Sequence, residues 1–161
     1  MQSDIFMKID DVAGESVDSV HAGEIDVQSW SWGAAQGGSS QIGGGTGSGK
    51  AVVHDLTFSL NFEKSVPVLL GMLLTGTPFN QAQLTIRKAG ATPLEYVKII
   101  MKSGIISNIS LSGAPTADTQ SVSISLNFGY VELHYTPQAA DGSGEADVST
   151  QYNIAQNKPG S

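Results

Sequence analysis

The chain has 161 residues, of which 40% are hydrophobic and 14% charged, with a formal net charge of −7 and no cysteine. This length suits one domain with its own core, and the acidic balance argues against a nucleic-acid partner, which needs a basic surface. Without cysteine, disulfides, thiol catalysis and Cys-type zinc sites are excluded.

The N-terminal segment MQSDIFMKIDDV has no apolar core of the kind that a cleavable signal peptide requires. No apolar run in the chain approaches the ~20 residues that span a bilayer. We therefore expect no signal peptide and no membrane insertion.

The segment Glu24–Trp32 predicts a bent strand. Its apolar residues change parity midway, from Ile25 and Val27 to Trp30 and Trp32. Such a bend is typical of a barrel or a strongly curled sheet.

A glycine-rich loop follows at Gly33–Lys50, and Gly44–Lys50 within it reads G-x-x-x-x-G-K. A phosphate-binding loop needs Ser or Thr after the lysine and a helix beginning there. Here the next residue is Ala51, which starts a clear strand pattern. We therefore predict a long hairpin loop and no nucleotide site.

The strand predicted at Ala51–Phe62 alternates strictly. One face carries apolar side chains and one histidine, namely Val52, His54, Leu56, Phe58, Leu60 and Phe62. The other face carries Asp55, Thr57, Ser59 and Asn61. This pattern predicts one buried face and one wet face.

One helix is predicted at Val66–Leu74, with Ser65 as its cap, Pro67 in its first turn and Gly76 at its end. Apolar residues surround nearly its whole circumference, so we expect it to be covered on most sides. Four of them are candidates for the core or for a subunit interface: Leu69, Leu70, Met72 and Leu73.

Two further strands are predicted at Gln83–Lys88 and Leu94–Met101, joined by a hairpin at 89–92. Ser121–Tyr135 predicts a long strand whose apolar parity changes at Gly129–Tyr130. Together the elements predict a mainly β fold, with one short α-helix and a long extended hairpin loop.

Motifs for catalysis or cofactor binding do not emerge. The three histidines lack metal-ligand spacing, no G-x-S-x-G segment occurs, and the acidic clusters match no calcium loop. We predict no catalytic residue, metal or cofactor. Trp30 and Trp32 leave one alternative open, a secreted β-sandwich module that binds carbohydrate.

Charge is distributed unevenly along the chain. Acids dominate residues 1–63 and 103–161, whereas bases dominate residues 64–102. The layout suits copies of one molecule that meet head to tail, or simply a set of solvated faces.

Several segments together resemble the haemolysin-coregulated protein (Hcp) family, which forms the inner tube of bacterial type VI secretion systems. They are SWSWG (29–33), GKAVVHDLTF (49–58), QAQLTIRKAG (81–90), LNFGYVELHY (126–135) and YNIAQN (152–157). The resemblance begins at FMKIDDVAGES and covers essentially the whole chain. The family's fold is also similar to that of contractile-phage tail-tube proteins.

This resemblance implies a small antiparallel β-barrel that forms a homohexameric ring with an open channel. Rings stack into an exported tube that carries effectors and works with the spike and sheath proteins. The chain is then one domain over residues 1–161, without a C-terminal effector extension, present in the cytoplasm before type VI export, and not an enzyme.

The resemblance also suggests roles for particular residues. Ser31, and with it Ser29, lies on the strand face opposite the tryptophans, so both are expected to face the channel, or else to be ordinary exposed serines. The glycine loop is expected to make ring-stacking contacts. Its candidate residues are Gly43, Gly44, Gly45, Thr46, Gly47 and Ser48.

Overall fold

The computed structural model describes residues 2–37 and 51–160, and within these ranges it is an antiparallel β structure with a single helix. The elements in chain order are β1 (Ser3–Ile9), β2 (Ile25–Asp26), β3 (Ser29–Ser31), β4 (Ala34–Ala35), β5 (Val52–Val53), β6 (Leu56–Asn61), α1 (Ser65–Thr75), β7 (Phe79–Lys88), β8 (Leu94–Ser112), β9 (Ser121–Tyr135), β10 (Val148–Asn153) and β11 (Lys158–Pro159). The predicted fold class, mainly β with one short helix, is confirmed.

The sheet follows the order β11-β10-β9-β8-β7-β1-β2, and β6 pairs with both β9 and β3. Between β2 and β3 the chain steps from β1 to β6. The amide of Val27 donates to the carbonyl of Ile5 (2.9 Å), and that of Gln28 donates to Ser59 (2.8 Å). This step curls the sheet around its core, as the parity change in Glu24–Trp32 predicts.

The core lies inside this curl and is apolar throughout. Alternate residues of β6 and β9 point into it, with Phe58, Ile124 and Leu126 at 0% exposure. Leu69 of α1 and Met101 of β8 are likewise fully buried. The alternation that predicted a half-buried β6 therefore identifies its core face correctly.

The strand predicted at Ala51–Phe62 is interrupted. Its first part, β5, pairs with β4, so the glycine-rich segment returns into a strand and not a helix. The amide of His54 donates to the carbonyl of Gly33 (3.0 Å), which closes the loop base. Val52, His54 and Phe62 are exposed, so their predicted inward orientation is wrong.

Helix α1 ends as predicted. Gly76 has φ 69°, and the amide of Thr77 donates to the carbonyl of Met72 (2.9 Å). Its start differs, because Ser65 is the first helical residue and makes no cap hydrogen bond. A carboxylate from a distant loop acts there instead, since Oε2 of Glu15 accepts from the amide of Lys64 (2.7 Å).

The later strands are confirmed in kind, although β7 and β8 are longer than predicted and β9 has the predicted bounds. The parity change in β9 is also confirmed. Phe128 and Val131 belong to the core, whereas Tyr130 between them does not. Its pairing with β8 continues without a register shift here, and Ser103, opposite Gly129, has φ 56°. Both strands therefore change phase together.

Candidate functional site

Ser29 and Ser31 lie on the outer side of β3, exposed, as the sequence predicts. Their partners across the ladder on β6 are also small and hydroxylated: Ser29 faces Ser59, and Ser31 faces Thr57. The Oγ atoms of Ser29 and Ser59 are 2.6 Å apart. The two serines thus belong to a larger polar surface.

The same pattern continues across β9 and β8. Ser59 faces Ser123 and Thr57 faces Ser125, whose hydroxyl is 2.8 Å from that of Thr57. A register shift between Ile106 and Asn108 keeps β8 in phase with β9. We call the resulting surface the hydroxyl face: Ser29, Ser31, Thr57, Ser59, Asn108, Ser110, Ser123 and Ser125.

The hydroxyl face is rigid because the residues between its members belong to the core or pack against it. Trp30 pairs with Phe58, Phe58 with Ile124, and Ile124 with Ile109. Each of these side chains packs in or against the apolar cluster. The sheet is therefore fixed in orientation, and its polar side can only face outward.

The chemistry of the hydroxyl face is limited to hydrogen bonding, since none of its members is ionisable at neutral pH. The nearest charge along these strands is Asp55, which precedes β6. Its carboxylate accepts from Ser107 (2.6 Å) and Asn127 (2.8 Å). Such a surface can form weak hydrogen bonds with many polar partners. It offers no activated nucleophile or base.

Beyond the phase change the same two strands carry a charged outer surface. On β9, Glu132 accepts a hydrogen bond from the hydroxyl of Tyr130 (2.8 Å), and His134 lies between Glu132 and Asp147 at 2.8 Å from each. Lys102 of β8 is 3.8 Å from Glu132. On β8 and β9, charged side chains are thus confined to the part of the two strands beyond the phase change.

The histidine in this group favours its charged form. Hydrogen bonds to Asp147 and Glu132 outweigh partial burial and raise the pKa of His134 above its ordinary value. For Glu132, burial acts to raise the pKa, but the hydrogen bonds from His134 and Tyr130 lower it overall. These side chains form ion pairs and hydrogen bonds with one another, so they do not resemble a catalytic dyad that is open to a substrate.

The predicted helix residues divide between two environments. Leu69 is fully buried in the core, while Met72 and Leu73 are half-buried and pack against it. Leu70 is half-buried, and Leu74 remains 73% exposed. The expectation that α1 is covered on most sides is therefore not met within the chain, because only one side of the helix packs on it.

The structure tests some of the other sequence-based predictions and leaves one untested. The predicted stacking residues Gly43–Ser48 lie outside the described residues. Within residues 2–37 and 51–160, no cluster of His, Asp or Glu side chains has a geometry that could hold a metal ion. In the same ranges no helix is long and apolar enough to cross a membrane.

Trp30 and Trp32 are half-buried and pack against the core. The indole of Trp32 donates to the carbonyl of His54 (2.9 Å) and lies 6.3 Å from the ring of Phe128. These tasks are structural, so the carbohydrate-binding alternative gains no support from them.

The sequence singled out two members of the hydroxyl face, Ser29 and Ser31, as exposed candidates and missed the rest. The signal was present as the alternation of Ser in SVSISLN and of Thr and Ser in LTFSLN. Only strand pairing shows that these short patterns share one surface.

Comparison with known proteins agrees with this architecture. The family model described as "Type VI secretion system effector, Hcp" matches residues 6–135. Protein hcp1 of Pseudomonas aeruginosa is 45% identical over 159 residues, which is 98% of each chain. The crystal structure of Hcp1 from Salmonella typhimurium is similar with a TM-score of 0.79 and 31% identity, covering 99% of each chain.

A type VI secretion system effector from Yersinia pestis gives a TM-score of 0.78 at 30% identity, covering 94% of this chain and 100% of the other. The match to the family model spans most of β1, the strands β2 to β9, the helix and every member of the hydroxyl face. The chain therefore belongs to the Hcp family of type VI secretion system proteins.

Proposed function

We propose that this chain is the tube-forming subunit of a type VI secretion system. Its copies close into homohexameric rings, the rings stack into a tube, and the exported tube carries effectors through its channel. The protein acts by assembly and not as an enzyme. Its partners are itself and the spike, sheath and effector proteins, with no role for nucleic acid.

The observation that carries this proposal is the hydroxyl face. A channel for varied cargo needs a wall that hydrogen-bonds weakly and holds no fixed charge that would trap one sign of cargo. Side chains as short as Ser29 and Ser31 also leave the channel wide. The face spans β3, β6, β9 and β8, and the core behind it keeps it from collapsing inward.

Open strand edges support ring closure. Among the described pairings, β3 bonds only to β6, and β8 beyond Gly104 bonds only to β9. The four-stranded surface thus ends in an unpaired edge on each side. Edges that differ from each other suit a heterologous contact, which repeats around a ring until it closes.

Exposed apolar side chains support the same conclusion. Leu74 and Val68 lie on the uncovered side of α1, and Val148 is 65% exposed beside Tyr135 at the outer edge of the sheet. Separate apolar surfaces on one small domain are the usual mark of contacts with other copies. The helix residues Leu70, Met72 and Leu73 would be covered further in a ring.

The glycine loop keeps its proposed role in ring stacking. The described residues on either side of it pair as the β4–β5 ladder, so the loop begins and ends at a defined place in the fold. Deleting Gly43–Gly47 should leave rings intact and weaken their stacking. Unchanged stacking in that variant would show that other residues make the contact.

The direct test is imaging of the purified protein by negative-stain electron microscopy, together with its mass by native mass spectrometry. We expect rings with a central hole and a mass of six times the 16.8 kDa chain. A protein that stays monomeric at tens of micromolar in moderate salt would contradict the proposal. Export before and after loss of the secretion machine would then test its route, which we expect to be type VI without a cleaved signal peptide.

A further inference from the structure

A loop on the side of the molecule opposite the core covers part of the sheet. We call it the strap, residues 12–24. Its base is closed by its own backbone, since the amide of Gly14 donates to the carbonyl of Gly23 (2.8 Å) and that of Ser16 donates to Glu24 (2.9 Å). A Cβ on Gly14 would lie 2.3 Å from the Glu24 carbonyl, so this close approach requires glycine.

Beneath the strap lies an apolar ring that points away from the core. Phe6 is 3% exposed, yet it is not part of the core cluster. The imidazole of His21 stacks on it with centroids 4.4 Å apart and 14° between planes. The guanidinium of Arg87 also lies over this ring, 5.1 Å from its centroid, so His21 of the strap and Arg87 of β7 together keep Phe6 out of water.

Two ionic contacts hold the strap tip to the sheet. On one side the guanidinium of Arg87 donates to both carboxylate oxygens of Asp18, at 2.7 and 3.0 Å, and to Asp4 at 3.0 Å. The hydrogen bonds to Asp18 and Asp4 raise the pKa of Arg87, and Arg87 lowers that of Asp18, so this contact stays ionised across the physiological range. It is an anchor that does not depend on pH.

The second contact does depend on protonation. Nδ1 of His21 is 2.8 Å from Glu24 on the strap, and Nε2 is 2.5 Å from Glu95 on β8. Only an imidazolium can donate to both carboxylates at once, because a neutral ring turns one lone pair toward an oxygen. His21 is 6% exposed, so water cannot relieve that repulsion.

A neighbouring lysine can pair with Glu95 when His21 is deprotonated. The other oxygen of Glu95 is 3.4 Å from Lys98, three residues along β8. The charged groups beside the strap are its own Asp18 and Glu24, Asp4 and Lys8 of β1, Asp10 and Asp11 after β1, Arg87 of β7, and Glu95 and Lys98 of β8. When His21 is neutral, Glu24 keeps its local bond and Glu95 is left with Lys98.

Space for movement exists on both sides of the anchor. A groove of about 530 Å³ lies between β1 and the strap, lined by Asp4, Phe6 and Val17 among others. Another, of about 590 Å³, lies between the strap tip and the start of β8, lined by Val20, Pro93 and Lys98 among others. The strap tip therefore contacts the sheet through Asp18 and His21 and has an open groove on either side.

From this geometry we propose that the strap is a pH-sensitive latch: it is closed on Phe6 while His21 bonds both Glu24 and Glu95, and its tip releases from β8 when His21 loses its proton. The Asp18–Arg87 contact acts as the hinge. The motion uncovers the side of Phe6 on which His21 stacks and joins the two grooves, while Arg87 stays over the ring. The latch is a property of each subunit, so it does not rest on ring assembly.

The direction of the pH effect follows from the bound state. Burial disfavours the charged ring, but the hydrogen bonds to Glu24 and Glu95 outweigh it and raise the pKa of His21 above its ordinary value. A raised pKa means that the closed state is fully favoured below the ordinary histidine pKa of about 6.5 and is lost as pH rises through the raised value. The closed-to-open ratio falls tenfold for each unit of difference between the two pKa values.

The test uses the absence of cysteine in the chain. A nitroxide attached to Ser19→Cys, at an exposed position of the strap tip, reports tip mobility by electron paramagnetic resonance. We expect a mobile component that grows with pH along a one-proton curve. The NMR titration of the His21 ring in the unlabelled protein should give the same midpoint, which guards against an effect of the label.

Two variants complete the design. In Glu95→Gln the amide can donate to a neutral imidazole, so the tip should stay immobile over the whole range. In His21→Gln no imidazolium forms, and the mobile component should be present at every pH. A wild-type spectrum that is constant from pH 6 to 9.5, different midpoints by the two methods, or an unchanged transition in Glu95→Gln would overturn the latch.

Discussion

The hydroxyl face and the strap side use the same curled sheet in opposite ways. Strands β8 and β9 run through both halves, and their common phase change at Ser103 and Gly129 divides the two. On one side, short uncharged side chains form only a few hydrogen bonds with one another. On the other, ion pairs such as Arg87–Asp18 and His134–Asp147 satisfy each other.

This difference indicates where folding and function constrain the sequence. Several charges on the strap side, such as Arg87 with Asp18 and His21 with Glu95, have partners within the chain, so they contribute to its own stability. The hydroxyl face has no such internal need, because its core-facing neighbours already fix the strands. We attribute the lack of charge on this exposed surface to the channel that we propose it lines.

The largest effect is expected from breaking the strap side. Arg87→Ala leaves Asp18 and Asp4 without their cation, and the side chain removed is only 12% exposed. We expect the free energy of unfolding to fall by about 3 kcal/mol, measured in urea. Lys64→Ala, at an exposed lysine, should change it by less than ~0.5 kcal/mol. Equal effects of the two substitutions would remove the distinction.

The boundary between the two regions gives the next effect. Ser103 has φ 56°, a conformation that a β-branched residue adopts poorly, so Ser103→Val should cost about 2 kcal/mol. A Cβ on Gly129, opposite it, would meet its nearest atom at 3.6 Å, an ordinary contact. Gly129→Ala should therefore be nearly neutral in the same unfolding experiment. If Gly129→Ala destabilised the protein more than Ser103→Val, the strained backbone position would lie in β9 and not in β8.

A smaller, pH-dependent effect is expected at His134. Its bonds to Asp147 and Glu132 raise its pKa, so the stability it adds is complete below the ordinary value of 6.5 and disappears as pH rises through the raised pKa. At pH 6, His134→Gln should lower the unfolding free energy by about 1 kcal/mol, discounted for partial exposure. The gap between the two proteins should close as pH rises through that raised pKa. A gap that widens with pH would reverse the assigned sign.

The smallest effect is expected on the hydroxyl face. Thr57→Val keeps the shape of the side chain and removes its hydrogen bond to Ser125. We expect a loss of less than about 1 kcal/mol, because the group is partly exposed and water can serve the freed hydroxyl. Calorimetry would show this as a shift of a few degrees at most. A loss comparable to that of Arg87→Ala would mean that the face is a structural network after all.

The sequence predicts what depends on neighbours in the chain. Alternation located β9 with its bounds, the parity changes at Gln28 and Gly129, and the end of α1 at Gly76. Sequence patterns failed where a contact with a distant segment determines the local structure. The amide of Lys64 is served by Glu15, 49 residues away, which is why Ser65 is not the cap. Likewise His21, one of the three histidines without metal-ligand spacing, is buried and bonds to Glu95, 74 residues away.

The hydroxyl face shows the same limit. Ser29 and Ser31 could be placed opposite the tryptophans by alternation alone, but Ser123 and Ser125 join them only through the pairing of β6 with β9. Pairing between remote strands is set by the packing of the core as a whole, which no local pattern contains.

The central claim, that the hydroxyl face lines a channel, can be tested by marking it. Because the chain has no cysteine, a maleimide-linked gold cluster attaches only at the introduced thiol of Ser31→Cys, and the parent protein is its unlabelled control. Electron microscopy of the labelled protein should show rings with gold at the centre. Gold at the outer rim of the rings would contradict the account. So would a parent protein that forms no rings.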